Sequence, residues 1–165
     1  MINFLRNNRI AMWLLTLLRI YIGFEWIMIS LNKITGGEAF SASGLIISAL
    51  NSGNSPAWFT NFLHLTTIGG ENTIFFDAVI PWAQLLIGIA LVFGIFTLGA
   101  SFAGLMMNTS FILAGVISDN PTFIVIQIFI LVAGFNAGKV GLDFWITPWI
   151  RNKVNILQNS QLKNR

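Results

Sequence analysis

The sequence predicts an all-α integral membrane protein: a four-helix bundle with an extracytoplasmic capping segment between helices one and two. Three observations lead there. The 165 residues are 55% hydrophobic and only 9% charged, with a mean hydropathy of +0.76, whereas a soluble domain carries about 25% charged residues. Four apolar stretches, at about 10–31, 74–96, 100–117 and 121–140, match or approach the roughly 20 residues that cross a hydrocarbon core. The connection over 34–73 is too long for a plain loop. At this length one membrane domain, 1–165, is the natural unit.

Composition narrows the chemistry. There is no cysteine and one histidine, His64. A disulfide framework, a CxxC redox pair and thiolate-bound clusters are excluded within this chain. So are a haem held by two of its own histidines and a His-rich metal site. No metal and no intrinsic cofactor are expected; if the chain handles electrons, the carrier is a diffusible lipid-soluble molecule or belongs to a partner. The net charge of +3 comes from the chain ends. No basic face is interleaved with exposed aromatics, so nucleic acid is not an expected partner.

Residues 1–9 are polar and basic. Span one runs from about Ile10 to Leu31 and stops at Asn32, Lys33 and Gly36–Gly37. No small-residue cleavage site follows it and Arg19 interrupts it, which predicts a retained span. Two short helices are expected in the long connection. SGLIISALN starts near Ser43. AWFTNFLHLTTI starts with Ser55 as N-cap and Pro56 in the first helical position. On the second, Trp58, Phe59, Phe62, Leu63 and Thr66 share a face, suited to a cap at the membrane interface.

Residues 74–118 are about twice as long as one crossing allows. They predict a hairpin that turns around Thr97–Leu98–Gly99. Asn120 as N-cap and Pro121 in the first position open span four, which runs to about Val140. FWITPWI is an aromatic interfacial exit, and the basic tail from Arg151 is expected to fray. Four spans place both termini on one side. Arg6 and Arg9 at one end, with Lys139, Arg151, Lys153, Lys163 and Arg165 at the other, predict that this side is cytoplasmic.

Charge inside the spans points to a site. A charged residue near the bilayer centre costs at least roughly 2.5–3.5 kcal/mol, so Arg19 needs protein or trapped water around it. Arg19, Gly23, Trp26, Ser30 and Lys33 form one stripe at 100° per residue. At about 1.5 Å rise per residue, Arg19, Gln84 and Asn108 fall at one depth on three helices. Two readings stand side by side. In one, the polar stripes are packing seams in which Gln84, Asn108 and Gln127 act as interhelical glue, worth about 0.6 kcal/mol each on average. In the other, Arg19, Glu25, Asp77, Gln84 and Asn108 line a ligand pocket open to the outer face, with Trp26 flanking an aromatic ligand. Lys33 is expected to snorkel to the interface, and His64 to be an interfacial side chain. No catalytic residue stands out.

The stretches LLRIYIGFEWIMISLNKITG, FSASGLI, WAQLLIGIALVFGIFT, MMNTSFILAGVISDNP and GKVGLDFWITP, in this order, resemble the DoxX family of small four-helix membrane proteins. This family includes DoxD-like subunits of thiosulfate:quinone oxidoreductase. The resemblance implies a membrane bundle with a role in passing electrons from a sulfur compound to a quinone. Gln84 stands where family members often carry a glutamate, which removes an ionisable group from mid-membrane. Two functions follow as expectations. One is a membrane subunit of a quinone-linked redox complex, with Arg19, Gln84 and Asn108 donating to the quinone between Trp26 and Phe111. The other is a non-enzymatic protein that binds or transports a small anion or lipid, or assists assembly of a partner. The expected partners are the lipid bilayer and either a redox subunit or a second copy of the chain.

Overall fold

A computed structural model of the chain describes residues 1–150 and 153. Among the described residues the protein is all-helical: α1 (Ile2–Asn7), α2 (Arg9–Thr35), α3 (Ser43–Asn51), α4 (Ala57–Thr67), α5 (Ile74–Phe93), α6 (Thr97–Leu113), α7 (Asn120–Ala133) and α8 (Phe135–Gly138). Residues 143–150 are also helical. Two helices, α2 and α5, are long and apolar enough to cross a membrane, while α6 and α7 are shorter apolar helices. The expectation for the tail beyond Ile150 falls outside the described residues, apart from Lys153.

Helix α2 forms because its run contains no Pro and two central Gly-free turns on each side of Gly23. Asn8 caps it, accepting from the N–H groups of Ile10 (2.7 Å) and Ala11 (3.4 Å). This cap also separates α2 from α1, a helix where only a basic lead-in was expected. The register between α2 and α5 is set by two glycines. A Cβ on Gly23 would lie 2.9 Å from the Gly88 carbonyl oxygen, and one on Gly88 would lie 2.8 Å from that of Gly23. Small residues of this kind let helix backbones touch. The main core lies above and below this contact and includes Leu15, Ile22, Trp26, Leu91, Ile126 and Ile130.

Three boundaries differ from expectation. The α5–α6 turn lies at Gly94–Phe96, before Thr97 rather than around it. Gly94 adopts the left-handed conformation (φ +66°) that ends a helix, and the carboxylate of Asp143 accepts from Phe96 N–H and Thr97 N–H, both at 2.8 Å, to start α6. Span four breaks at Gly134 (φ +61°, ψ −137°), a conformation glycine takes without strain, so α7 ends at Ala133 instead of near Val140. Its N-cap is Asp119, with Asn120 already helical.

Both short helices of the long connection are present. Ala42, Ile46 and Ala49 of the α3 segment pack on Phe59 and Leu63 of α4. Phe76 and Ile80 of α5, Leu113 of α6 and Ala114 just after it close this second core from below. The pair therefore covers the start of α5 and the end of α6. Pro56, not Ser55, is the N-cap of α4; the Ser55 hydroxyl instead donates to the Leu113 carbonyl at 2.6 Å. The aromatic face expected on α4 divides in two. Phe59, Leu63 and Thr67 face the core, and Trp58, Phe62 and Leu65 face outward.

Candidate functional site

The polar residues expected at one depth are sorted by the fold into three places, and the direction of side chains explains why. Side chains on a helix lean toward its N-terminus. From the middle of α2, the long arm of Arg19 reaches down toward the α5–α6 turn. Its guanidinium is buried (1% exposed), and donates to the Val140 carbonyl at 2.6 Å, to Thr97 Oγ1 at 3.3 Å and to the Ala137 carbonyl at 3.4 Å. Gly94 and Gly141 have no side chains because this guanidinium occupies the space. Arg19 does not meet Gln84 or Asn108. It ties the α5–α6 turn to the segment after α8, next to the carboxylate of Asp143 that caps α6.

Asn108 Nδ2 donates to Gln127 Oε1 at 3.0 Å, linking α6 to α7. The Gln127 amide lies against Gly104, filling the space of a missing Cβ. This pair has the geometry of interhelical glue. Trp26 is 1% exposed and belongs to the main core. Asp77 accepts from the Ala42 N–H at the start of α3 and from Thr73 Oγ1 at 3.0 Å, so it fastens the cap to α5. Glu25 is half-buried on α2 and makes no side-chain hydrogen bond among the described residues. The expected single pocket of Arg19, Glu25, Trp26, Asp77, Gln84 and Asn108 is thus not assembled.

The exception is Gln84, which lies in a different constellation. At the covered end, where α2 and α6 finish and α7 begins, a cavity of about 520 Å³ opens between these helices, α5 and the α3 segment. Its polar centre is Lys33. The same lean toward the helix N-terminus that lowers Arg19 turns Lys33 toward Gln84 of α5. Nζ donates to Gln84 Oε1 at 2.8 Å and sits 4.7 Å from the Phe40 ring centroid and 5.2 Å from that of Phe111. A cation within about 6 Å of a ring face is attracted by its quadrupole. Ile29, Leu45, Val116 and Phe123 give apolar walls, while Ser41, Ser118, Asp119 and Asn120 supply polar groups.

The chamber therefore pairs one ammonium with flat and aliphatic walls. An ammonium has three donors, and Gln84 takes one. A ligand with an acceptor oxygen fits the other two, and burial makes such a bond worth more than it is in water. Lys33 and Phe40 escaped the sequence reading as site residues. The available signal was the shared stripe from Arg19 to Lys33 together with FSASGLI directly after it. No protein-family model, no characterised protein and no solved structure matches this chain.

Proposed function

We propose that this is a multi-pass membrane protein in which α2, α5, α6 and α7 form a four-helix bundle, and that its Lys33 chamber binds the head of a lipid-soluble quinone. The membrane reading is supported by the outward side chains of all four helices. Trp13, Leu17 and Phe24 on α2, Val79, Trp82 and Leu86 on α5, Phe102 and Met106 on α6, and Val125, Ile128 and Phe129 on α7 are exposed. Apolar patches beyond a few hundred Å² are rare on water-facing surfaces. At roughly 25 and 21 Å, α6 and α7 need a locally thin bilayer or their flanking turns to complete a crossing. Both termini are assigned to the cytoplasm and the α3–α4 cap to the outside.

The observation that carries the ligand assignment is Lys33 Nζ, held at 2.8 Å from Gln84 Oε1 between two aromatic rings. A quinone presents carbonyl oxygens on a flat ring. Lys33 donates to one of them, and Ser41 or Asn120 stands on the wall for the other. Reduction adds two electrons and two protons and converts both carbonyls to hydroxyls. A fixed ammonium stabilises the negative charge that builds on the oxygen between these steps. With no cysteine and one histidine in the chain, the electrons come from a partner subunit. On this reading the protein is the membrane subunit of a redox complex of the thiosulfate:quinone oxidoreductase type, and its resemblance to DoxX-like stretches supports that reading.

A second reading keeps the chamber and changes the ligand. The same ammonium suits an anionic lipid headgroup, and the protein is then a non-enzymatic binding or assembly factor. Mass spectrometry of the lipid extract of purified protein separates the two. Quinone retained by the wild type and lost from Lys33→Met supports the first. An anionic phospholipid retained in its place supports the second. Quinone retained equally by Lys33→Met removes the site assignment.

A further inference from the structure

A second, smaller cavity of about 90 Å³ lies beneath the cap, walled by α3, α4, α5 and α6. Its lining is almost wholly apolar: Ile46 from α3, Phe59 and Leu63 from α4, Phe76 and Ile80 from α5, and Ala114 after α6 are among the walls. Two side chains, Leu45 and Phe111, line both this cavity and the Lys33 chamber. They form the partition between the two. At the other end the small cavity reaches Phe62 and Ser110. Both are exposed, Phe62 at 48%, on the outward apolar side of the bundle that also carries Trp58, Leu65 and Met106.

We infer that the cavity beneath α4 is a tail channel: the ligand of the Lys33 chamber is a long-chain amphiphile that enters sideways from the lipid between α4 and α6. This rests on the chamber reading given above and narrows it. A small soluble anion has no use for an apolar passage, whereas an isoprenoid or alkyl chain loses water-exposed or mismatched surface by lying in one. With the head at Lys33, the chain passes between Leu45 and Phe111, runs beneath Phe59 and Leu63, and leaves past Phe62 into the acyl region. The partition consists of ordinary side chains on separate helices, so it parts by rotamer change. The cap then has a purpose that its second core alone does not supply: α3 and α4 roof a path from the bilayer to the ammonium.

The test uses the full chain in lipid nanodiscs and two probes, a benzoquinone bearing a decyl side chain and the same ring bearing methyl. Calorimetric affinities are compared as the decyl-to-methyl ratio in each variant, so partition of the decyl probe into lipid cancels. Ala114→Leu fills the passage and Ser110→Trp blocks its outer end; both residues line the small cavity and not the chamber. A blocked passage acts sterically, because head and chain can no longer be seated together; a cost of about 1.4 kcal/mol on seating the chain is a tenfold change in affinity. The expected result is a ratio that falls about tenfold or more in either variant, with affinity for the methyl probe unchanged. A ratio that stays at its wild-type value in both variants overturns the tail channel and leaves the chamber standing. Failure of the methyl probe to bind the wild type, or binding that survives Lys33→Met, overturns the chamber itself and the channel with it. Retained far-UV helicity and the wild-type melting temperature in one of the two variants suffice for the comparison.

Discussion

Replacing Gly94 by alanine probes the Arg19 anchor through the space that the guanidinium occupies. Gly94 has φ +66°, and an alanine in this left-handed region costs about 1–2 kcal/mol. Its Cβ would also fall on Arg19 Nη1 and lie 2.8 Å from Cζ, so the guanidinium must retreat. Two hydrogen bonds from Nη1, to Thr97 Oγ1 and the Ala137 carbonyl, are then lost. Bonds to a charged group are worth about 1.5–3 kcal/mol each, and at 3.3 and 3.4 Å these two belong at the weak end, so together they contribute about 3 kcal/mol. Gly94→Ala should therefore destabilise by about 4–5 kcal/mol. Gly53 is the control: it has the same φ of +66°, with nothing within 4 Å of an added Cβ, so Gly53→Ala should cost only the backbone share of about 1–2 kcal/mol. Stability is read by SDS titration in mixed micelles, followed by far-UV circular dichroism. Arg19→Met placed in the Gly94→Ala background removes the clash, and a double-mutant cycle should return a coupling of about 2–3 kcal/mol. Equal costs at positions 94 and 53, or zero coupling to Arg19, would refute the assignment of the guanidinium to this turn.

Other outcomes follow from neighbouring contacts. Gly88→Val should push α5 off α2 and destabilise by about 3 kcal/mol or more, at the upper end of overpacking, whereas Gly99→Ala, with open space around it, should gain about 0.5–1 kcal/mol in α6; the same SDS titration measures both. Asp143→Ala removes both acceptors at the start of α6 and should cost about 1–2 kcal/mol, with Asp143→Asn recovering about half, because its amide keeps one acceptor oxygen; hydrogen exchange at Phe96 and Thr97 should rise in the alanine variant first. Lys33→Arg should keep ligand binding with reduced affinity, since its fork is wider than an ammonium, while Lys33→Met should lose it; calorimetry with the methyl probe distinguishes them.

The helices themselves were legible because they rest on local rules. The apolar run of α2, the Pro–Gly punctuation of the long connection and the break before α7 are all read within a few residues of where they act. Boundaries failed where distant residues decide them. Asp143 moves the start of α6 to Thr97 from more than forty positions away, and no local pattern announces it. The site failed for a different reason. Depth was assigned from backbone positions, which place Arg19, Gln84 and Asn108 together. Arginine and lysine act through heads several ångströms from their Cα atoms, displaced toward the helix N-terminus. That displacement moved Arg19 out of the middle and brought Lys33 in. The stripe that joins both residues was visible, but which end of it holds the chamber depends on Phe40 and Phe111, supplied by other segments.

The opening helix is held by residues made long after it. Arg6 Nε donates to the Val132 carbonyl, and Asn136 Nδ2 donates to the carbonyls of Leu5 and Asn8, across 126 to 131 positions. During synthesis the first eight residues leave the ribosome with none of these partners yet in existence. The partners that α2 finds in α5 are made well before then, so the contacts of the opening helix are the last of these to become available. A carrier protein fused directly to Met1 would load those contacts at the moment they form, and a flexible spacer there is the sounder choice for expressing this chain.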